Sequence, residues 1–188
     1  MPNLSIFPVN ETATTSSCIA HQRAENMFSF GRKNVIELCV GPSLKCLQKS
    51  YENFDIKVTG NDIEKRYEKS FSEGKWIIGD CFSFSFEKYD GIVFAPPLSR
   101  NCSGKREDSL CIDQVNPSYN KFLEKIKKDA KDKTYVLVLP GRSLSLKEDR
   151  KQFHKLLDNV LRRGYNLETV EMKCNKGITK YIDLYINI

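Results

Sequence analysis

One glycine turn carries the residue types that ligand binding requires. Residues 34–39 form a short apolar run rich in β-branched side chains, and the turn 41–43 (Gly-Pro-Ser) follows directly. Residues 44–50 then have apolar side chains at helical spacing. Glu37 lies inside the first run, and Asp62 follows the turn by about twenty positions. The pattern predicts a strand, a tight turn and a helix, which places free backbone N–H groups beside a crevice where open α/β sheets bind ligands.

Spacing excludes two common ligands for such a turn. A dinucleotide fingerprint, Gly-x-Gly-x-x-Gly, needs glycine at positions 39, 41 and 44, where the chain has Cys39, Gly41 and Leu44. A phosphate-cradling P-loop ends in Gly-Lys-Ser or Gly-Lys-Thr, and the turn lacks that ending. The sequence therefore does not predict a nicotinamide, flavin or P-loop nucleotide site here.

The segment from Glu37 to Gly41, Glu-Leu-Cys-Val-Gly, resembles the first motif of the class I S-adenosylmethionine-dependent methyltransferases. That motif reads acidic, x, small, x, Gly, and Cys39 stands where glycine is commonest. The resemblance implies that Asp62 accepts hydrogen bonds from both ribose hydroxyls of the cofactor and that Asp80 and Cys81 contact its adenine. The implied S-adenosylmethionine-binding residues are Glu37, Cys39, Gly41, Pro42, Asp62, Ile63, Asp80, Cys81 and Ala95.

The segment Phe94-Ala-Pro-Pro-Leu-Ser99 is similar to the catalytic Pro-Pro segment of this family. In amino-group methyltransferases a polar residue precedes the prolines and an aromatic residue follows them, whereas this chain has Ala95 and Leu98. In cytosine-5 methyltransferases a nucleophilic cysteine follows the proline, and Leu98 again holds that position. The residues assigned to catalysis by the resemblance are Pro96, Pro97, Ser99 and Cys102, the last as a substitute nucleophile or else an idle cysteine.

A long polar connection, residues 98–116, follows the prolines and is typical of an active-site lid. Its basic side chains are candidates for contact with substrate phosphates, although a solvated loop explains them equally well. The candidate substrate-binding residues are Arg100, Lys105, Arg106 and, after the fifth strand, Arg142.

The net charge of +6 favours a nucleic-acid partner. The predicted function is therefore methyl transfer to a nucleic acid, with RNA favoured. A degenerate, non-catalytic binding module or partner subunit is the first alternative, and a small-molecule or protein methyltransferase is the second.

Strand and helix patterns alternate along the chain and predict an α/β fold. We expect one domain over residues 1–188, with a loose arm at 1–17 and a doubly wound, mostly parallel seven-stranded sheet covered by helices on both faces and ending in an antiparallel hairpin. The predicted helices cover residues 18–30, 43–53, 63–72, 118–130 and 147–163, and the predicted strands cover 34–39, 55–60, 75–80, 89–97, 134–140, 165–172 and 178–188.

Composition and single residues add further expectations. The sequence has no apolar run of the ~18 residues that a membrane span needs, and no secretory signal pattern, so a cytoplasmic location is expected. The seven cysteines include no Cys-x-x-Cys pair and there are only two histidines, which predicts neither a metal nor a disulfide. Asp90 is expected to be simply exposed, and the oligomeric state is left open.

Overall fold

A computed structural model describes residues 17–41, 44–63, 65, 75–95, 117–128, 132–140, 165–173 and 179–188. The described helices are α1 (Ser17–Ser29), α2 (Leu44–Glu52) and α3 (Pro117–Ile126). The strands are β1 (Asn34–Leu38), β2 (Lys57–Asp62), β3 (Trp76–Ile78), β4 (Gly91–Phe94), β5 (Thr134–Pro140), β6 (Asn166–Lys173) and β7 (Thr179–Asn187).

The seven strands form one sheet in the order β3-β2-β1-β4-β5-β7-β6. Strands β1 to β5 pair in parallel, and β7 pairs antiparallel with both β5 and β6. The order reverses between β1 and β4, because the chain moves outward to β3 and then returns. Such a reversal opens a crevice at the carboxyl ends of the two central strands.

Alternating side chains of the strands build a core on each face of the sheet. On one face Ile36, Ile92 and Tyr135 pack with Phe122 and Leu123 of α3. The other face carries α1 and α2, whose buried apolar side chains include Ala20, Ala24, Met27, Leu47 and Tyr51. Helices therefore cover both faces, and the predicted α/β sheet with its terminal antiparallel hairpin is confirmed.

Most predicted boundaries differ from the observed ones by a few residues. Strand β5 has the predicted bounds, while β2 begins and ends two residues later than predicted. The sequence pattern predicts Phe28 on the inward face of α1 with Ala24 and Met27, but Phe28 is 49% exposed. That expectation is wrong because Ala20, Ala24 and Met27 already define the buried stripe, and the next position points about 100° away from it. The predicted helix 147–163 lies outside the described residues, as does nearly all of the helix predicted at 63–72.

Asp90 is not simply exposed, so that prediction is wrong. Its two carboxylate oxygens accept the backbone N–H groups of Lys33 and Asn34, each at 2.9 Å. The half-buried side chain thus joins the start of β1 to the segment that leads into β4, and it fixes the register of the two central strands.

The prediction that the chain has no disulfide is also wrong, because Cys18 is disulfide-bonded. Cys39, Cys46 and Cys81 are free thiols. Among the described helices, none combines the length and the apolar character that crossing a bilayer requires. The described residues also bring together no group of three or more His, Cys, Asp or Glu side chains able to hold a metal ion.

Candidate functional site

The turn after β1 has an unusual backbone conformation. Cys39 has φ 59° and Gly41 has φ 57°, both in the left-handed region that favours glycine. Between them, the Val40 N–H donates to the Asn61 carbonyl at 3.0 Å, which continues the pairing of β1 with β2 for one more residue. A left-handed cysteine costs about 1 kcal/mol relative to glycine, so the backbone explains why glycine suits position 39.

Asp62 is the last residue of β2 and reaches across to this turn. The Gly41 N–H donates to its Oδ2 at 2.7 Å. An ideal Cβ built on Gly41 would meet no described atom within 4 Å, so the turn borders open space. Ile63, directly after Asp62, is 72% exposed. A fixed carboxylate, a bare glycine backbone and an exposed apolar side chain therefore lie together at the carboxyl edge of β1 and β2.

The end of β3 is held against the same edge by Asn61. The Asn61 side-chain amide donates to the carbonyl oxygens of Ile77 and Gly79, both at 3.0 Å, and the Gly79 N–H donates to the Asp62 carbonyl at 3.0 Å. The exposed Asp80 follows, and its Oδ1 caps the next turn by accepting the Phe82 N–H at 3.0 Å. The chain thus turns directly after β3.

Cys39 and Cys81 belong to the same side of the core. Cys81 is buried in the core cluster against which the half-buried Cys39 packs. The interaction with Cys81, together with burial, raises the pKa of Cys39 above its ordinary value. The interaction with Cys39 lowers the pKa of Cys81.

Strand β4 brings Ala95 to the crevice. The Ala95 N–H donates to the Leu38 carbonyl at 3.3 Å, so the residue continues the β1–β4 pairing. Its methyl group is half-buried and offers neither a hydrogen-bond donor nor an acceptor.

Glu37 belongs to a buried polar network rather than to the exposed edge. It is 2% exposed, with one oxygen accepting from the Tyr51 hydroxyl at 2.6 Å and the other 3.4 Å from Arg23. Burial raises the pKa of Glu37 above its ordinary value, while Arg23 acts in the opposite direction. The predicted contact of Glu37 with a cofactor stays a prediction.

Arg23 of α1 is the centre of this network. Its guanidinium donates to both oxygens of Asp183 on β7, at 2.6 and 3.0 Å, and it is 1% exposed. Burial raises the pKa of the neighbouring Tyr185, which is 3.4 Å from the same carboxylate. The network fixes α1, β1, α2 and β7 relative to one another directly behind the turn.

The structure thus gathers Cys39, Gly41, Asp62, Ile63, Asp80, Cys81 and Ala95 along one edge of the sheet. Other predicted site residues lie outside the described residues: Pro42, Pro96, Pro97, Ser99, Arg100, Cys102, Lys105, Arg106 and Arg142.

Sequence reasoning missed the supporting residues Arg23, Asn61 and Asp183. A signal was present only for Arg23, which shares the helical stripe of Ala20 and Met27.

Comparison with known proteins is informative only at the level of structure. No known family profile and no curated protein matches the sequence. Among solved structures, the methyltransferase domain of bacterial CtHen1-CN superposes with a TM-score of 0.58 at 12% identity, covering 90% of this chain and all of that one. An S-adenosylmethionine-dependent methyltransferase from Clostridium acetobutylicum gives 0.58 at 11% identity, covering 93% of this chain and 92% of that one. The chain has the class I methyltransferase fold.

A further match is the 1,6-didemethyltoxoflavin-N1-methyltransferase of Burkholderia thailandensis, solved with its substrate and S-adenosylhomocysteine. It gives a TM-score of 0.57 at 14% identity and covers 89% of this chain and 77% of that one. In the methyltransferase fold of this chain, the edge that gathers Gly41 and Asp62 is the carboxyl edge at the strand-order reversal.

Proposed function

We propose that this chain binds S-adenosylmethionine at the crevice beside β1 and β2 and transfers its methyl group to a nucleic acid, with RNA as the favoured substrate. One observation carries the cofactor proposal: the Gly41 N–H holds the Asp62 carboxylate at 2.7 Å beside open space at the carboxyl edge of the sheet. A carboxylate held in this way has lone pairs left for a ribose diol.

The residues present fit the cofactor's chemistry. Asp62 would hold the ribose hydroxyls, and the exposed Ile63 would cover one face of the adenine, which is apolar and flat. The bare backbone at Gly41 leaves room for the cofactor to approach the turn closely. When bound, S-adenosylmethionine supplies a methyl group on a positively charged sulfur, which makes that carbon electrophilic.

We infer that Glu37 acts on the cofactor indirectly. Because Tyr51 and Arg23 contact its two oxygens, the carboxylate is best placed to hold β1 in position behind the turn. Cofactor recognition then falls to the backbone from Cys39 to Gly41 and to Asp62, while Asp80 and Cys81 border the adenine end.

Calorimetric titration with S-adenosylhomocysteine tests the cofactor proposal. We expect the wild type to bind, and we expect Asp62→Asn to weaken binding on the order of tenfold or more, because the amide can accept from only one oxygen. Glu87→Gln is the matched control, since it removes an exposed carboxylate away from the crevice and should leave binding unchanged. Absence of binding by the wild type, or equal affinity in Asp62→Asn, would overturn the proposal.

The nucleic-acid part of the proposal depends on charge. The chain carries a net charge of +6, and cationic proteins bind phosphate backbones with an affinity that falls steeply as salt rises. We expect transfer of labelled methyl groups from S-adenosylmethionine to label the nucleic-acid pools in preference to the protein and small-molecule pools, with RNA as the favoured acceptor. Electrophoretic shifts of RNA over a salt series provide the parallel binding test, and a salt-insensitive or absent shift argues against a nucleic-acid substrate.

Ala95 favours a second candidate function, that of a binding module without catalysis. At the end of β4 the methyl group offers nothing that could hold a target amine. In this case the protein would bind S-adenosylhomocysteine and shift RNA, but it would label none of the four pools. Ala95→Asp and Ala95→Asn would then be the informative variants, because gain of labelling would assign catalytic competence to the rest of the site.

A further inference from the structure

We propose that three aromatic side chains beside α1 and α2, together with an adjoining cavity, bind single-stranded nucleic acid away from the cofactor crevice. The side chains are His21, Phe28 and Phe54, and they form the ring platform. Phe28 and Phe54 shortly precede β1 and β2, so the platform lies toward the amino ends of these strands, opposite the edge that holds Gly41. RNA is the favoured occupant, and this choice rests on the proposed function.

The three rings contact one another in a row. The centroid of the Phe54 ring lies 5.1 Å from that of His21 and 5.6 Å from that of Phe28, both in tilted contacts that are typical of aromatic pairs. His21 and Phe28 are seven residues apart on α1, which is about two turns, so they share one face of the helix. The row is therefore roughly 10 Å long.

The platform is anchored at its centre and exposed at its ends. The Phe54 N–H donates to the Tyr51 carbonyl at 3.0 Å, and the half-buried Phe54 ring packs against the core beneath α1 and α2. Phe28 is 49% exposed, and His21 is exposed as well. Rings that are already held in position lose little freedom on binding. Nucleic-acid bases are flat and stack on such rings whatever their sequence.

A cavity of about 510 Å³ opens at the His21 end of the platform. This volume lies within the range of about 300–1,000 Å³ that is typical of small-molecule sites. Hydroxyl, amide and imidazole groups in its wall offer hydrogen bonds to the edge of a base or to a sugar. The described residues that line the cavity are Ser17, His21, Cys46, Lys49, Ser50 and Asn53. The cavity thus adds polar contacts to the stacking surface.

Lysine side chains lie at both ends of the platform. The Lys33 Nζ is 5.1 Å from the centroid of the Phe28 ring, and Lys49 lines the cavity. Both lysines are exposed, and the chain as a whole has a net charge of +6, so phosphates are attracted to this surface. Two exposed carboxylates oppose that attraction, Glu25 on the same face of α1 and Asp55 directly after the last ring. Single-stranded nucleic acid combines the flat bases and the phosphates that this arrangement suits.

Fluorescence anisotropy with a fluorescein-labelled oligouridine of about twelve nucleotides tests the platform. We expect the full chain to bind it and Phe28→Leu to weaken binding about fivefold or more, because leucine keeps an apolar side chain but lacks the ring face. Phe28→Tyr is the matched control, since it keeps the ring and should bind within about twofold of the wild type. Equal affinity of the wild type and Phe28→Leu would overturn the proposal.

Two charge changes give readouts that a loss of folding would not produce. Glu25→Gln should tighten oligouridine binding about two- to fivefold at low salt, because it removes a negative charge from the platform. Glu87→Gln makes the same change on the other side of the sheet, where the neighbouring Phe86 packs with α3, and should leave the affinity unchanged. Lys49→Gln should reduce the slope of log affinity against log salt by about 0.7. An unchanged slope, or equal effects of the two glutamate variants, would contradict binding at the platform.

Photocrosslinking locates the contact and competition identifies the nucleic acid. Oligouridine that carries 4-thiouridine should form adducts with the peptides that contain Phe28 and Phe54 when it is irradiated with the full chain. Adducts confined to other peptides would overturn the proposal. An unlabelled oligothymidine of the same length should compete more weakly than unlabelled oligouridine, and equal or stronger competition would overturn the choice of RNA.

The outcomes separate this proposal from the proposed function. If the wild type binds oligouridine and Phe28→Leu binds it equally well, only the ring platform fails. If oligouridine binds at the platform but S-adenosylhomocysteine does not bind, the cofactor proposal fails and the platform stands. If the wild type binds no oligouridine, the nucleic-acid substrate and the platform fail together. If Phe28→Leu changes the sedimentation of the chain but not its affinity for oligouridine, the rings contact a second copy of the chain, which also overturns the proposal.

Discussion

Replacing Arg23 with methionine removes the only positive charge among the described contacts of the buried Glu37–Asp183 network. The guanidinium makes two hydrogen bonds to Asp183, at 2.6 and 3.0 Å, and lies 3.4 Å from Glu37, with all three side chains at most 2% exposed. The methionine side chain is unbranched and apolar, so the main loss is charge. Two carboxylates would remain buried without their cation.

Breaking a buried pair in this way costs about 3–5 kcal/mol. With a urea m-value of about 2 kcal/mol per molar, the unfolding midpoint should fall by roughly 1.5–2.5 M at pH 7.5. Circular dichroism through a urea titration measures both the midpoint and the slope. An unchanged slope would show that the variant still unfolds as a cooperative unit.

The cost should also depend on pH in a defined direction. Burial already raises the pKa of Glu37 above its ordinary value of 4.5, while the charge of Arg23 lowers that pKa. Loss of Arg23 should therefore raise the pKa of Glu37 further. When the pKa of a carboxyl is higher in the folded than in the unfolded state, its contribution to the free energy of unfolding is largest at pH values below the unfolded-state pKa. This contribution is lost as the pH rises through the folded-state pKa. The deficit of Arg23→Met should therefore be largest at pH 7.5 and smaller at pH 5.5, by about 1.4 kcal/mol for each unit of pKa shift within that window.

Arg32→Met is the matched control. The Arg32 side chain donates to the Thr134 hydroxyl at 2.8 Å and to the Asp132 carbonyl at 2.7 Å, which are both neutral groups. Its loss should cost about 1 kcal/mol per hydrogen bond with no such pH dependence. If Arg23→Met costs no more than Arg32→Met, or if its deficit is equal at the two pH values, the buried network does not stabilise the fold through its charges.

Three smaller changes are informative. Gly91→Ala should destabilise the fold by about 1–3 kcal/mol in urea titrations, because the new Cβ would lie 2.9 Å from Val35 Cγ2. An unchanged free energy of unfolding would mean that β1 and β4 can move apart at little cost. Asp90→Ala should cost about 2 kcal/mol or more through two lost N–H contacts, and Asp90→Asn about half as much; equal costs would contradict this. Gly41→Ala should cost about 1 kcal/mol of stability, and it should clearly weaken S-adenosylhomocysteine binding in calorimetry, because its Cβ would occupy the open space beside the turn. Unchanged affinity would mean that the cofactor binds elsewhere.

The sequence patterns predicted the strands of the sheet well, because the alternation and β-branching that indicate a strand depend only on residues close together in the chain. The run from Thr134 to Leu139 is almost entirely apolar or β-branched, as a strand buried on both faces must be, and the strand has the predicted bounds. The spacing between Gly41 and Asp62 predicted that a glycine turn and a carboxylate would share one edge. Parallel neighbouring strands bring their carboxyl ends together, so the pattern was sufficient.

The orientation of Glu37 could not be predicted in the same way. Its carboxylate is directed by Tyr51 on α2 and by Arg23, and Arg23 is bound in turn by Asp183, 160 residues away. Asp183 alternates with apolar neighbours, a pattern that is typical of a strand with one solvated face. Strand β7 instead lies between β5 and β6 with Asp183 fully buried, which is decided by tertiary packing and not by local sequence.

The distance along the chain from Arg23 to Asp183 has a consequence for synthesis. A ribosome must add 160 residues after Arg23 before its partner carboxylate exists. Until then α1 lacks its ion pair with β7, and β6 lacks the strand with which it pairs, which is β7. The nascent chain therefore completes the support behind the β1 turn only when β7 inserts, so we expect premature termination before Asp183 to yield products that chaperones and proteases recognise as unfinished.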